Sequence, residues 1–387
     1  MRIGSLYGFR AYPPRGGNHL HAYQLIRHFQ MAGHEVLTLG DDSVPGVGAF
    51  PRDKRGAARL SSAADLLYVR MDGNHLRHKP IIGSLIEGFS GPIVWEINAP
   101  ANEALAFSWL GGMRSPTGQL SRKADRLRRH IHALRQFPGI FAEERFRRRL
   151  AKRAGAAICV SNALVRYAKE GLGIEYAIEI PNGSDSELNQ PSGPRADLPR
   201  GFQGRLKVLY AGSPIYPWQG LDLVAETIRM CKEARDPIAF VLLTNQPPGR
   251  LFAGDNVAVF TGVPHDEVQR YVRSADVGLA VHPEYFWSKW GFHGSSMKVF
   301  DYMACGLPVV ASNVGQLAEV VEPGRNGWLF ENTPQSLREC LKSVAGSRSE
   351  LARMGREARR DVEMRFNWRE IACRTLAVFE DVLTAAG

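Results

Sequence analysis

The feature that constrains this chain most is a rhythm of short apolar runs and amphipathic stretches that occurs twice, either side of a tract of prolines and glycines. In the first half the runs are Arg2–Tyr7, Glu35–Leu39, Leu66–Val69, Ile93–Ile97, Ala156–Val160 and Ala177–Ile180. Between the first two, Ala22, Leu25, Ile26 and Phe29 follow the i, i+3, i+4, i+7 spacing of a helix, and Gly33 supplies its stop. Strand, helix and strand in that order predict a parallel sheet covered on both faces. Residues 187–205 contain Pro191, Gly193, Pro194, Pro199, Gly201 and Gly204 with few apolar side chains, and read as a linker. A second series follows it: Lys207–Tyr210, Ile238–Leu243, Val257–Phe260, Val277–Val281, Val309–Ala311 and Trp328–Phe330. The expectation is an α/β chain of two parallel-sheet domains, residues 1–186 and 206–365, with an amphipathic C-terminal helix within 366–387 that packs back towards the first. Ligands of open parallel sheets bind beyond the carboxyl ends of the strands, so the cleft between the halves is the expected site.

With 387 residues the chain is long enough for two domains, each with its own core. Met1–Tyr7 is too short and polar for a leader and reads as the first strand, and no window approaches 18 uninterrupted apolar residues. Five cysteines, at 159, 231, 305, 340 and 373, lack Cys-x-x-Cys spacing, which points to reduced thiols and a cytoplasmic protein. The net charge of +10 is concentrated: Arg122–Arg153 holds twelve Lys/Arg and three Asp/Glu. Such a run faces water, anionic lipid headgroups or nucleic acid. Leu127, Ile131, Leu134, Phe137, Ile140 and Phe141 interleave with the charges, which suits a membrane surface, peripheral on its inner face. Nucleic acid is not expected, since no binding module accompanies the charge.

The most informative stretch runs from His293 to Ala311: a polar loop, Ser295 and Ser296 as caps, a short helix from Met297, a stop at Gly306 and a buried strand. A helix start offers free amides and partial positive charge, which suits a diphosphate. Lys298 adds a cation in the first turn, where an ordinary helix favours an acid. Asp301, three residues on and so on the same face, has two acceptor oxygens for the vicinal hydroxyls of a ribose. There is no Asp-x-Asp, no metal-ligand spacing and no Walker loop in the chain, so no metal and no other cofactor are expected.

Ser-Ser-Met-Lys followed by Tyr-Met-Ala-x-Gly-x-Pro-Val-Val resembles the nucleotide-sugar site of GT-B glycosyltransferases, especially retaining family 4, and is also similar to glucuronosyltransferases of bacterial exopolysaccharide assembly. The likeness extends over almost the whole chain. Gly16-Gly17 with His21 resembles the family's glycine turn after strand one, and Ile180–Asp185 its Pro-Asn-Gly-x-Asp closure of the first domain. Tyr210-Ala211-Gly212 with Trp218-Gln219-Gly220 resembles the opening of the second domain, and Phe260–Val263 the turn facing the base. The resemblance implies two Rossmann-like domains. The second would hold a nucleoside diphosphate sugar, a UDP-sugar for preference, through Gly17, Gly212, Ser213, Gln219, Val263, Ser295, Ser296, Met297, Lys298 and Asp301. The first would bind a glycan or lipid-linked acceptor. It further implies transfer with retention by front-face substitution, in which the leaving phosphate helps to deprotonate the acceptor.

Three departures stand out. Ser213 and Gln219 occupy positions where many relatives carry Arg and Lys, and the usual Glu-x7-Glu pair reads His293-x7-Asp301. The strand end that usually presents a His to the sugar carries Asn98. On this reading Asn98, His293 and Lys298 are the catalytic candidates, and His21 and Glu96 stand on the acceptor side. Glu96 could equally pair with the basic segment, Glu103 is expected to cap a helix, and Asp72 ends a strand. Two alternatives remain: an epimerase of the same fold, for which no convincing acid/base carboxylate pair is found, and a non-catalytic nucleotide-sugar-binding scaffold, suggested by Ser213, Gln219 and His293.

Overall fold

In a computed structural model of the chain, residues 1–14, 16–71, 79–110, 122–247, 252 and 254–386 are described, with the side chains of 122–129 and of His265 outside that description. Asp72 falls outside it too. The first sheet is built from β1 (Arg2–Leu6), β2 (Glu35–Leu39), β3 (Gly48–Phe50), β4 (Leu66–Met71), β5 (Ile93–Ile97), β6 (Ala156–Cys159) and β7 (Ala177–Glu179). Their spatial order is β3-β2-β1-β4-β5-β6-β7, all parallel. The second contains β8 (Leu206–Ala211), β9 (Ile238–Thr244), β10 (Val257–Thr261), β11 (Val277–Ala280), β12 (Val309–Ser312) and β13 (Gly327–Phe330). Its order is β10-β9-β8-β11-β12-β13, again all parallel. Each sheet therefore reverses direction beside its first strand, between β1 and β4 and between β8 and β11. A crevice opens at such a point because the crossovers leave to opposite faces.

The central strands are buried on both faces, which is why they read as continuous apolar runs without alternation. Expected and observed strands agree to within two residues at their ends. The strand that sequence patterning does not show is β3, three residues of Gly-Ala-Phe with too little β-branched or alternating content to register. Tract 187–205 is not a loose tether. Arg273 donates to the carbonyls of Gln190, Ser192 and Pro194, and Phe202 is buried in the second core.

The final helix, Trp368–Ala386, follows the second domain in sequence but lies on the first. It packs along the helix Gly17–Met31 and places Trp368, Ile371, Leu376, Phe379 and Val382 in one cluster with Ile3, Phe29 and Val94. At roughly 1.5–3 kcal/mol for each large apolar side chain, this docking is worth on the order of 10 kcal/mol before chain entropy. Where the chain crosses back, Ser184 N–H donates to the Phe366 carbonyl (2.8 Å) and Trp368 N–H to the Ser184 carbonyl (3.2 Å). The two interdomain crossings thus run side by side as a paired strap.

Helix Arg122–Ala151 carries the basic segment and contains Pro138. One of its faces is core, with Ala133, Arg147 and Leu150 buried and Arg147 paired to buried Glu143 at 2.9 Å. The opposite face exposes Ile131, Leu134, Phe137 and Phe141.

Candidate active site

Two cavities open into the cleft and share a wall. The larger, about 510 Å³, lies between Gly16, Gly17 and Leu20 after β1 and, from the second domain, Gly212, Ser213, Thr244, Val263, Lys298 and Asp301. The smaller, about 300 Å³, is enclosed by Asn18, His21, Arg70, Glu103 and Asn182 from the first domain and by Gln219, His282, Tyr285, His293, Ser295 and Ser296 from the second. Gly17, Met297 and Lys298 line both. A cavity of about 810 Å³ outside the cleft, beside the strap and the last helix, gathers none of the site residues read from sequence. The cleft, at both switch points, is the site the fold favours.

Lys298 is the centre of this arrangement. It occupies the first turn of helix Met297–Ala304, whose N-cap Ser296 makes no capping bond to the helix amides. Ser296 is engaged instead by His282, whose Nε2 lies 3.0 Å from Ser296 Oγ while its Nδ1 lies 2.9 Å from the Trp218 carbonyl. A carbonyl only accepts, so Nδ1 carries the proton; burial, and after it the charge of Lys298, push His282 down to about 3 and leave Nε2 as an acceptor for the serine hydroxyl. The helix amides are left facing the cavities.

The Lys298 ammonium donates to Gln219 Oε1 and lies 4.6 Å from the Tyr210 ring centroid. Among the described residues no carboxylate stands within ion-pair distance of it. Burial alone pushes Lys298 down to about 7. A half-buried cation held by a neutral amide and a ring face is a position that an incoming anion stabilises. The residue Gln219 is therefore no substitute cation but the group that aims one. Asp301, one turn further along, accepts from Ser184 Oγ (2.6 Å) and Asn189 Nδ2 (3.0 Å) while still lining the larger cavity.

Beneath the smaller cavity a buried polar chain links the domains. Glu96 on β5 pairs with Arg70 on β4 and lies 2.9 Å from His21 Nε2. His21 Nδ1 meets Asn182 Oδ1 at 2.6 Å, and Asn182 donates to Ser295, from its main chain to Oγ (3.0 Å) and from Nδ2 to the carbonyl (2.8 Å). So the partner of Glu96 is not the basic segment: its neighbour across the parallel register is Arg70, on the adjacent strand. Asn98 donates to Glu96, and neither residue lines either of the two cleft cavities; both form the floor behind His21.

His293 is buried, with Nε2 hydrogen-bonded to no group among the described residues and 3.7 Å from Glu103 Oε1 across the cleft. Its main-chain oxygen accepts from Ser161 Oγ at 2.8 Å, which fixes the loop against the first domain. Glu103 makes no capping bond; it lies on the short turn Ala101–Leu105 and faces the smaller cavity. Sequence reasoning also passed over Arg70, Thr244 and His282, all at or just past the carboxyl ends of strands, where the fold itself supplies the signal. Thr244 Oγ1 is buried at the wall of the larger cavity with no partner among the described residues. Among the described residues no group of three or more His, Cys, Asp or Glu is placed to hold a metal ion.

Two parallel-sheet Rossmann-like domains with facing switch points define the GT-B architecture. Solved structures share it across the whole chain: sucrose-phosphate synthase from Thermosynechococcus elongatus (TM-score 0.66, 17% identity, 99% of each chain) and Anabaena HepE in complex with UDP and glucose (TM-score 0.66, 17% identity, 98% of this chain and all of that one). Residues 205–346, most of the second domain, match the family described as glycosyl transferases group 1. An MMP alpha-(1->4)-mannosyltransferase of Mycolicibacterium hassiacum is 30% identical over 217 residues, 53% of this chain and 48% of that protein. The chain spans between 22% and 59% of the first curated relatives it matches.

Proposed function

We propose that this group 1 glycosyltransferase moves a sugar from a UDP-sugar to a glycan or lipid-linked acceptor, with retention. The observation that carries the reading is Lys298, half-buried at an uncapped helix start between two cavities, with no carboxylate partner among the described residues. The larger cavity would take the nucleoside, with Asp301 towards the ribose and Thr244 and Val263 towards the base. The diphosphate would lie on Lys298 and the helix amides, and the sugar in the smaller cavity near His293. Charge on the leaving diphosphate grows in the transition state, and a preorganised cation and amides stabilise it without rearrangement. A structural relative has been solved with UDP-glucose, which favours that donor base. No divalent cation is needed on this reading. In a thermal-shift screen UDP should stabilise the protein, and GDP, ADP, CDP and dTDP should not, with the same shift in EDTA; at 100 times Kd the gain is about 2.7 kcal/mol. A shift abolished by EDTA, or none with any nucleotide, would overturn it.

We also assign the exposed side of helix Arg122–Ala151 to an anionic lipid surface on the cytoplasmic side, where a lipid-linked acceptor of cell-envelope or exopolysaccharide synthesis would be met. Ile131, Leu134, Phe137 and Phe141 stand out beside Arg145, Arg148 and Arg149, the composition of an interfacial helix. Among the described residues no helix is long and apolar enough to cross a membrane. The protein should co-sediment with phosphatidylglycerol vesicles and not with phosphatidylcholine ones, and Leu134→Ser with Phe141→Ser should release it. Equal binding to both lipids would count against the assignment.

A further inference from the structure

An aromatic rim borders the smaller cavity where it opens to solvent. Three short segments build it: helix Ala106–Trp109 of the first domain, the turn after β8, and the loop after β11. Phe107 meets Trp218 edge-on at 5.0 Å, and Trp218 stacks on Tyr216 at 4.8 Å. On the other side Trp109 meets Phe286 at 5.6 Å, and Phe286 meets Trp287 at 5.1 Å. Trp287 in turn stacks on Tyr285, a wall of the cavity itself. Phe107, Tyr216 and Phe286 are 48%, 44% and 71% exposed. Aromatic side chains gathered and left open to water mark a binding surface, because burying them elsewhere would be favourable.

A second observation says what kind. The indole nitrogens of Trp109 and Trp287 are shielded from water and donate to no group among the described residues. An unmet buried donor costs free energy unless a ligand supplies the acceptor. We propose that this rim is the acceptor site and that the acceptor it takes is an oligosaccharide of at least two sugar units, laid across the ring faces. A pyranose has one C–H face, which suits the negative face of an aromatic ring, and an edge of hydroxyls, which offers acceptors that the indole N–H groups reach once the side chains covering them shift. A polyprenyl chain would cover the rings but leave both donors unmet. The small cavity has room for one sugar beside Lys298, and the rim continues outward from it through Trp218 and Tyr285. The acceptor's terminal unit would then meet the donor sugar in the cavity, with the rest of the chain on the rim.

This rests on the transfer reading above, and the test separates the two. Tryptophan emission and saturation-transfer NMR would follow titrations with cellotetraose, maltotetraose, mannotetraose and glucose. At least one tetrasaccharide should bind saturably, with glucose at least tenfold weaker. Trp287→Ala should weaken tetrasaccharide binding about tenfold. Phe286→Ala, at a side chain open enough to remove without disturbing the fold, should do the same, and both variants should keep the UDP thermal shift. Binding by none of the three tetrasaccharides overturns the proposal, and so does equal binding by wild type and variants. So does a loss in the variants of affinity for phosphatidylglycerol vesicles with tetrasaccharide binding unchanged. A wild-type protein that binds a tetrasaccharide through these residues but no nucleotide would sink the transfer reading and leave the oligosaccharide platform standing.

Discussion

Lys298→Met is expected to abolish UDP binding and, in the same protein, to raise the melting temperature of the ligand-free chain. The two effects share a cause. Burial holds the ammonium near a pKa of about 7 instead of its usual 10.5. Each pKa unit is about 1.36 kcal/mol, so the charged form costs a few kcal/mol that methionine, similar in length and apolar, does not. Between about pH 7 and 10.5 the native state binds fewer protons at this site than the unfolded chain does. Stability from this group therefore rises with pH across that window and is lost as pH falls through 7. The ligand-free gap between Lys298→Met and wild type should be widest at pH 7 and below, and should shrink towards pH 10. Diphosphate binding reverses the logic, since an anion raises the lysine's pKa. Wild-type affinity for UDP should fall by up to about tenfold per pH unit above pH 7.5, and calorimetry should register proton uptake. A variant that is less stable than wild type at pH 7 would show the lysine to be structural.

The second large effect is expected at Glu96. Burial by itself would raise its pKa. The charge of Arg70, with His21 and Asn98 behind it, more than offsets that and holds the carboxyl well below the ordinary range. Removing one partner of a buried ion pair strands the other, at a cost of about 3–5 kcal/mol. Glu96→Gln keeps the shape and removes the charge, leaving Arg70 buried against a neutral amide. Its denaturant midpoint should drop by that amount at pH 7. Because the folded pKa is depressed, the contribution is full above the unfolded value of 4.5 and disappears as pH falls through the folded one. The difference between variant and wild type should narrow below about pH 4. A variant as stable as wild type at neutral pH would mean that Arg70 reaches water and the network is not closed.

What was legible in the chain follows the period of its physics. Fully buried parallel strands announce themselves as apolar runs, and the helix-start chemistry of Ser295 to Asp301 is local, so both could be read directly. Contacts between residues far apart could not. Nothing near Glu96 in sequence says that Arg70 is its partner, since that follows only once β4 and β5 lie side by side. Glu103 reads as a helix cap because helical residues follow it, and its relation to His293 exists only across the cleft. Gln219, read by position as a missing cation, takes on meaning only when the side chain from helix Met297–Ala304 is seen to rest on it.

The paired strap at Ser184 and Phe366 carries a lesson for anyone who would cut this molecule apart. The boundary between its halves in space is not a boundary in the gene. A clone ending at residue 186 would lack the helix that closes the first domain's core, and one starting at residue 206 would bring that helix along with its apolar face bare. Either fragment should be recovered as aggregate. Mixing the second fragment with the first should rescue both, as two pieces of one interrupted domain. Exchange of donor specificity between such proteins would accordingly need a graft with two seams, one on each strand of the strap.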